Sequence, residues 1–152
     1  MRFATFESDD VQLNYAACGG TGHPLVICLH GFPEYWAAWS AVMLELADAY
    51  HLVAPDQRGF NLSFRPRDVG AYQTRHIVRD LALFADHLSP DRPFILAGHD
   101  WGASIAYAYE DTPEGGRVRI STADAEARAA VHAFLQYQIR EHATGDPQSV
   151  KR

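Results

Sequence analysis

Three short apolar runs alternate with three amphipathic segments along the chain, and this alternation limits the fold more than any other feature. Leu25–Leu29, Leu52–Pro55 and Phe94–Gly98 are nearly continuous in apolar residues, which is typical of strands covered on both faces of a sheet. Each is followed by a segment with apolar residues at helical spacing: Trp36–Tyr50, Thr74–Leu88 and Ala103–Tyr109. This order predicts an α/β fold with a mostly parallel, doubly wound sheet and helices on both of its faces.

The sequence near both ends of the chain predicts further strands and a helix in addition to this core. Phe3–Glu7 and Val11–Ala17 alternate apolar and polar residues, which predicts an N-terminal antiparallel hairpin. Arg117–Ile120 is a candidate for a further strand, and residues 121–145 carry the apolar stripe of a C-terminal helix. The chain of 152 residues is therefore expected to form one core over residues 1–120, followed by that helix and by a frayed polar tail over 146–152.

The net charge, the apolar runs and the cysteines indicate which classes of partner and which compartment to expect. The net charge is −6, and a nucleic-acid-binding face would need a basic balance. No apolar run approaches the ~20 residues that span a bilayer, and the N-terminus lacks the apolar region of a secretory signal. Cys18 and Cys28 do not form a metal or redox motif. We therefore expect a cytoplasmic protein that binds neither nucleic acid nor membrane.

The pentapeptide from Gly98 to Gly102 is the strongest candidate for a reactive site. It joins a buried strand to a helix and has the form Gly-x-x-x-Gly, with Asp100 flanked by His99 and Trp101. This is the shape of a nucleophile elbow with aspartate at its centre, a sharp turn that exposes the central side chain. We expect strained backbone at Asp100. The alternative is that Asp100 only caps the helix.

A second motif, His30-Gly31-Phe32-Pro33-Glu34, follows the first buried strand. Gly31 permits close approach of the backbone to a ligand, and the N–H groups of Phe32 and Trp101 are expected to face one point as an oxyanion hole. For His30 we favour a buried, hydrogen-bonded side chain that holds this loop.

These two motifs and the segment Asp56-Gln57-Arg58-Gly59-Phe60-Asn61-Leu62-Ser63 resemble those of the α/β-hydrolase family, and most closely those of the soluble epoxide hydrolases. The resemblance spans residues 3 to 120 and implies a partial α/β-hydrolase fold. It implies that Asp100 forms an alkyl ester with a small apolar epoxide, that no cofactor is needed, and that the peptide bond before Pro33 is cis.

Two alternatives stay open. Alkyl halides also present an sp³ carbon, so a haloalkane dehalogenase is one, although those enzymes commonly carry asparagine where this chain has Phe32. The other is a remnant without turnover, because the resemblance places the lid, the acid and the base histidine beyond this chain. The acid and base are therefore unknown. Within the tail, Asp124 and His132 would lie about 12 Å apart along a helix, too far to act together.

Two further expectations concern metals and assembly. His76, Asp80 and His87 share one helix face, which we interpret as a solvated polar face, so no metal site is expected. Self-association through an open edge of the sheet is expected next to the strand that ends at Gly98.

Overall fold

The computed structural model describes residues 1–8 and 10–109, together with the backbone of 111–112 and 115–116. The candidate strand Arg117–Ile120, the helix proposed for 121–145, the tail and the boundary proposed at residue 120 lie outside these residues. So do Asp124 and His132, together with His142, the other histidine after residue 120.

Five strands form one sheet in the order β1-β2-β4-β3-β5. They are β1 (Arg2–Ser8), β2 (Val11–Cys18), β3 (Leu25–Leu29), β4 (His51–Pro55) and β5 (Ile95–Gly98). The pairs β1–β2 and β2–β4 are antiparallel, whereas β3 pairs in parallel with both β4 and β5. The predicted hairpin is confirmed, and it joins the parallel strands through β2, so this sheet is mixed. A separate short ladder pairs β6 (Asp111–Thr112) with β7 (Gly115–Gly116).

Three helices connect or follow the parallel strands: α1 (Ser40–Leu46), α2 (Thr74–Leu88) and α3 (Trp101–Tyr109). The bounds of α2 are those predicted, and α3 begins two residues earlier than predicted. The helix predicted over Trp36–Tyr50 is shorter, since its first turn is a 3₁₀ helix (Trp36–Trp39) and the backbone turns after Leu46. A second 3₁₀ turn (Val69–Tyr72) precedes α2. None of the helices in the described residues is long and apolar enough to cross a membrane.

Alternate residues of β3 pack into two different cores. Leu25, Ile27 and Leu29 lie in one cluster with buried side chains of α2 and α3, whereas Val26 and Cys28 lie in the other with Met43 of α1. A strand with period-two alternation can be apolar throughout only when both faces are covered. The α/β class with helices on both faces of the sheet is therefore confirmed for the described residues.

The environment of Asp80 differs from the solvated polar face that we predict for α2. Its side chain is buried and accepts two hydrogen bonds from the Arg58 guanidinium, at 2.7 Å from Nε and 2.6 Å from Nη2. The same guanidinium donates to the Ala71 carbonyl at 3.0 Å. The predicted solvated face is therefore wrong at Asp80, because a buried carboxylate becomes tolerable when a cation and its donors match it.

Candidate active site

The candidate site lies where the chain leaves two neighbouring parallel strands. Leu29 is the register partner of Gly98, so His30 and His99 follow adjacent strand ends. The chain leaves β3 towards β4 on one side, while β5 lies on the other. Ligands of open α/β sheets bind at such a switch point, beyond the carboxyl ends of the strands.

The turn at Asp100 has the strained backbone that the pentapeptide predicts. Its φ is +53°, in the left-handed region that a non-glycine residue occupies at a cost of about 1–3 kcal/mol. The two glycines make room for this turn. A Cβ on Gly98 would lie 2.5 Å from the Gly102 carbonyl oxygen, and a Cβ on Gly102 would lie 2.2 Å from that of Leu29. Main-chain atoms of α3 therefore pack directly on the end of β3.

The loop after β3 brings its backbone to the Asp100 carboxylate. The Phe32 N–H donates to Oδ2 of Asp100 at 3.0 Å, and the Phe32–Pro33 peptide bond is cis, which confirms that prediction. Gly31 is closely confined, because an added Cβ would lie 2.8 Å from the Cβ of Asp100 and 3.0 Å from its Oδ2. Any larger residue at position 31 would push the loop away from the carboxylate.

Backbone donors hold Asp100 in its ionised form. The Phe32 N–H, and after it the Trp101 N–H, lower the pKa of Asp100 below its ordinary value, and the charge of the neighbouring His99 acts in the same direction. Asp100 itself is exposed. The two amides that sequence analysis selected as an oxyanion hole thus both act on this side chain.

His30 is buried and fully hydrogen-bonded, as predicted. The Gln57 N–H donates to its Nε2 at 3.0 Å, and its Nδ1 lies 2.8 Å from the Gly31 carbonyl oxygen. Because Nε2 accepts, the proton is on Nδ1 and the ring is neutral. Burial accordingly lowers the pKa of His30. Its side chain ties the loop after β3 to the end of β4 and has no nitrogen left for a substrate.

Two residues contribute to the site that sequence analysis did not single out. Glu34 accepts the Gly31 N–H at 2.9 Å through Oε2, which also lies 3.5 Å from Nδ1 of His99. Gln57 donates from Nε2 to the His30 carbonyl oxygen at 2.6 Å. The signal for Gln57 is a polar residue soon after a buried strand, and that for Glu34 is its spacing of three from Gly31.

The turn after β4 is held by the buried side chain of Asp56. Asp56 accepts the Trp36 N–H at 2.9 Å and the side-chain amides of Asn14 and Asn61 at 2.7 and 2.9 Å. These three N–H donors offset the cost of burying the side chain, because a buried polar group is tolerated when it is hydrogen-bonded. Asp56 therefore anchors the turn that carries Phe60, whose ring lies 6.1 Å from that of Phe32.

The two residues whose N–H groups act on Asp100 carry large exposed side chains. Phe32 is 69% exposed and Trp101 48% exposed, although both are large and aromatic. Exposed apolar groups of this size next to a polar centre are typical of ligand sites. No three His, Cys, Asp or Glu side chains come together to hold a metal ion within residues 1–8 and 10–109.

Comparisons with known proteins agree on one family. A family model described as the alpha/beta hydrolase fold matches residues 24–114, more than half of the chain. Epoxide hydrolase 1 of Caenorhabditis elegans is 38% identical over 105 residues, which are 68% of this chain and 26% of that protein. Epoxide hydrolase A of Mycobacterium tuberculosis is 39% identical over 102 residues, 66% of this chain and 31% of that protein.

Solved structures give the same result. The epoxide hydrolase VrEH1 from Vigna radiata superposes with a TM-score of 0.69 at 29% identity, over 88% of this chain and 46% of that structure. The chain thus spans less than half the length of these curated relatives and of this structure.

Proposed function

This chain belongs to the alpha/beta hydrolase fold family, and from that premise we propose that it opens epoxide rings with Asp100 as the nucleophile. The observation that carries the proposal is the hydrogen bond from the Phe32 N–H to Oδ2 of Asp100 at 3.0 Å. An exposed carboxylate on a strained turn, held ionised by backbone donors, suits displacement at carbon. The similarity to proteins named epoxide hydrolases supports this substrate class.

The first step forms an ester. Oδ1 of Asp100 attacks one ring carbon, the bond from that carbon to the epoxide oxygen breaks, and the resulting alkoxide takes a proton from solvent water. Oδ2 then becomes the carbonyl oxygen of the ester. The Phe32 N–H already donates to Oδ2, which supports its proposed role as an oxyanion donor in the second step.

The second step hydrolyses the ester. Water attacks Cγ of Asp100, and negative charge develops on Oδ2, where the Phe32 and Trp101 N–H groups stabilise it. Collapse breaks the bond from Cγ to the ester oxygen, releases a diol and restores the carboxylate. A base that activates the water contributes typically 10²–10⁴-fold. His30 is ruled out as that base because both its ring nitrogens are engaged.

Intact-mass spectrometry tests the proposal. Incubation of the chain with styrene oxide is expected to give one covalent adduct, which peptide fragmentation maps to Asp100. Asp100→Asn is the matched variant, because asparagine tolerates a positive φ but lacks the nucleophilic oxygen, and it is expected to give none. An equal adduct on the variant contradicts the proposal.

Two further comparisons sharpen this test. Gly31→Ala is expected to slow adduct formation at least about tenfold, since its Cβ meets Asp100, whereas Gly22→Ala adds a methyl group to open space and should react like the parent. A parallel incubation with an alkyl bromide addresses dehalogenation. A faster adduct with the bromide than with the epoxide would favour that activity instead.

The expected course is an adduct without sustained diol formation, because both ring nitrogens of His30 are engaged and Nδ1 of His99 lies 3.5 Å from Oε2 of Glu34. A diol assay run in parallel measures this. Continued diol production that Asp100→Asn abolishes would show that the chain holds a base, and His99, His132 and His142 would be the next residues to substitute.

A further inference from the structure

A cleft of about 730 Å³ opens where β3 and β4 begin, at the opposite end of the strands from Asp100. Leu25 and His51, which begin β3 and β4, lie in its wall, so the cleft faces the starts of the strands whose ends carry the candidate site. The start of β1 and the end of α2 complete it. Its volume lies within the range of small-molecule sites, about 300–1,000 Å³.

The polar lining of this cleft is one-sidedly basic. None of its lining residues is Asp or Glu, and it holds two arginines and three histidines, which are Arg2, Arg92, His23, His51 and His87. This contrasts with a chain whose net charge is −6. A concave surface lined by one sign of charge concentrates ions of the opposite sign.

The basic groups are close enough to influence one another. The pKa of His51 is lowered first by burial and then by the positive charges of Arg2, Arg92 and His23. The end of α2 contributes about half a negative charge, which the two full arginine charges outweigh. The cleft is therefore positive at neutral pH even with all three histidines neutral.

The remainder of the lining is apolar. Ala17 and Leu25 are buried at its floor, and Tyr15, Leu88 and Pro93 line its sides. Inorganic phosphate alone would leave this surface uncovered. A ligand with an aromatic or aliphatic body would bury it at roughly 25 cal/mol per Å², while its anionic group paired with a guanidinium, the side chain best suited to phosphate and carboxylate.

We propose that this cleft binds a small organic anion, an apolar body bearing a phosphate or carboxylate group, held at its charged end by Arg2 and Arg92. The site is independent of the proposed chemistry at Asp100, since the cleft lies where the parallel strands begin and Asp100 lies where they end.

Isothermal titration calorimetry of the full chain tests this proposal. Phenyl phosphate and benzoate separate the two anionic groups, inorganic phosphate tests the charge alone, and benzyl alcohol tests the apolar body alone. We expect saturable one-to-one binding of at least one aromatic anion, with weaker binding of inorganic phosphate and no binding of benzyl alcohol. Absence of saturable binding for both aromatic anions overturns the proposal.

Substitutions then locate the site. The double variant Arg2→Gln/Arg92→Gln is expected to bind at least tenfold more weakly. Arg75→Gln removes an exposed arginine outside the cleft and should bind like the parent, as should Asp100→Asn. In the unsubstituted chain, the ring-proton resonances of His23 and His51 are expected to shift on titration. Unchanged affinity in the double variant, or shifts confined to residues outside the cleft, overturns the assignment.

Discussion

Asp100 combines a strained backbone, for which Gly98 and Gly102 make room, with a charge that the Phe32 and Trp101 N–H groups stabilise. Its positive φ aims the side chain beyond the sheet, and the Phe32 N–H that meets it there also lowers its pKa. An oxyanion hole and an ionised nucleophile are usually described as separate devices. Here one backbone donor serves the carboxylate before reaction and, in the proposed mechanism, the ester oxygen afterwards.

The lowered pKa of Asp100 gives a pH profile. Because its pKa lies below the ordinary 3.8, more than half of the Asp100 side chains are still ionised at pH 3.8. The rate of adduct formation, after subtraction of the Asp100→Asn background, is expected to stay constant from about pH 8 to about pH 5 and to remain above half of its maximum at pH 3.8. Mass spectrometry across this range measures it. A half-maximal rate near pH 6 would show that a histidine controls the reaction instead.

How much of the site the sequence predicts depends on how local each interaction is. The strain at Asp100 and the buried His30 follow from short motifs, the cis bond before Pro33 follows from the family resemblance, and all three are confirmed. The contact between Glu34 and His99 joins two loops that are far apart in the sequence. No pattern within either loop indicates it.

At the scale of elements, α2 shows where helical periodicity misleads. Asp80 lies at helical spacing from His76 and His87 on the polar positions, yet its carboxylate is buried against Arg58. The pattern of α2 reports which residues are apolar, but a buried ion pair depends on a partner 22 residues earlier. The hydrogen bonds of Arg58 to Asp80 and Ala71 therefore bind the turn after β4 to this helix.

Removing one member of this pair tests its contribution. Asp80→Ala leaves the Arg58 charge buried without a partner, which costs about 3–5 kcal/mol. Urea unfolding followed by circular dichroism is expected to show this loss. Asp10→Ala is the control, because it breaks the Arg79 pair on the same helix at the surface, where ion pairs contribute little. Equal losses in both variants would contradict the argument.

The shortened α1 has a different cause. Apolar spacing continues from Trp36 to Tyr50, but the N–H groups of Ala49 and Tyr50 both donate to the Leu46 carbonyl oxygen, which closes the helix. The backbone then passes so close to Gly19 that a Cβ there would lie 1.9 Å from the Tyr50 carbonyl oxygen. Periodicity carries no information about that contact.

At the scale of the whole molecule, the order of the strands that the structure describes determines where the candidate site lies and leaves an edge of β5 open to association. β5 lies last in the sheet and pairs with β3 alone among the described strands, and its Ile95 is 50% exposed. Unpaired strand edges with apolar side chains pair readily with other chains. Alternating runs predicted the strands, whereas their spatial order arises from how the connections cross the sheet.

We therefore predict concentration-dependent association through β5. Analytical ultracentrifugation is expected to show the parent chain associating as its concentration rises, and Ile95→Lys shifting it towards monomer because charge on an edge strand opposes pairing. Val69→Lys changes a valine that is 83% exposed away from the sheet and should associate like the parent. A parent chain that stays monomeric at every concentration would contradict the prediction.

The backbone contacts at Gly98 and Gly102 limit which substitutions such a sequence can accept. Because α3 rests on the end of β3 through main-chain atoms, the span between Phe32 and Asp100 depends little on which side chains fill the cores. Apolar residues such as Ile27 and Leu81 can be exchanged for others of similar volume at modest cost. A single methyl group at Gly102, 2.2 Å from a carbonyl oxygen, would displace the reactive turn. The absence of side chains at Gly98 and Gly102 therefore constrains the reactive turn more than the identity of any of the twenty buried apolar side chains in the described residues.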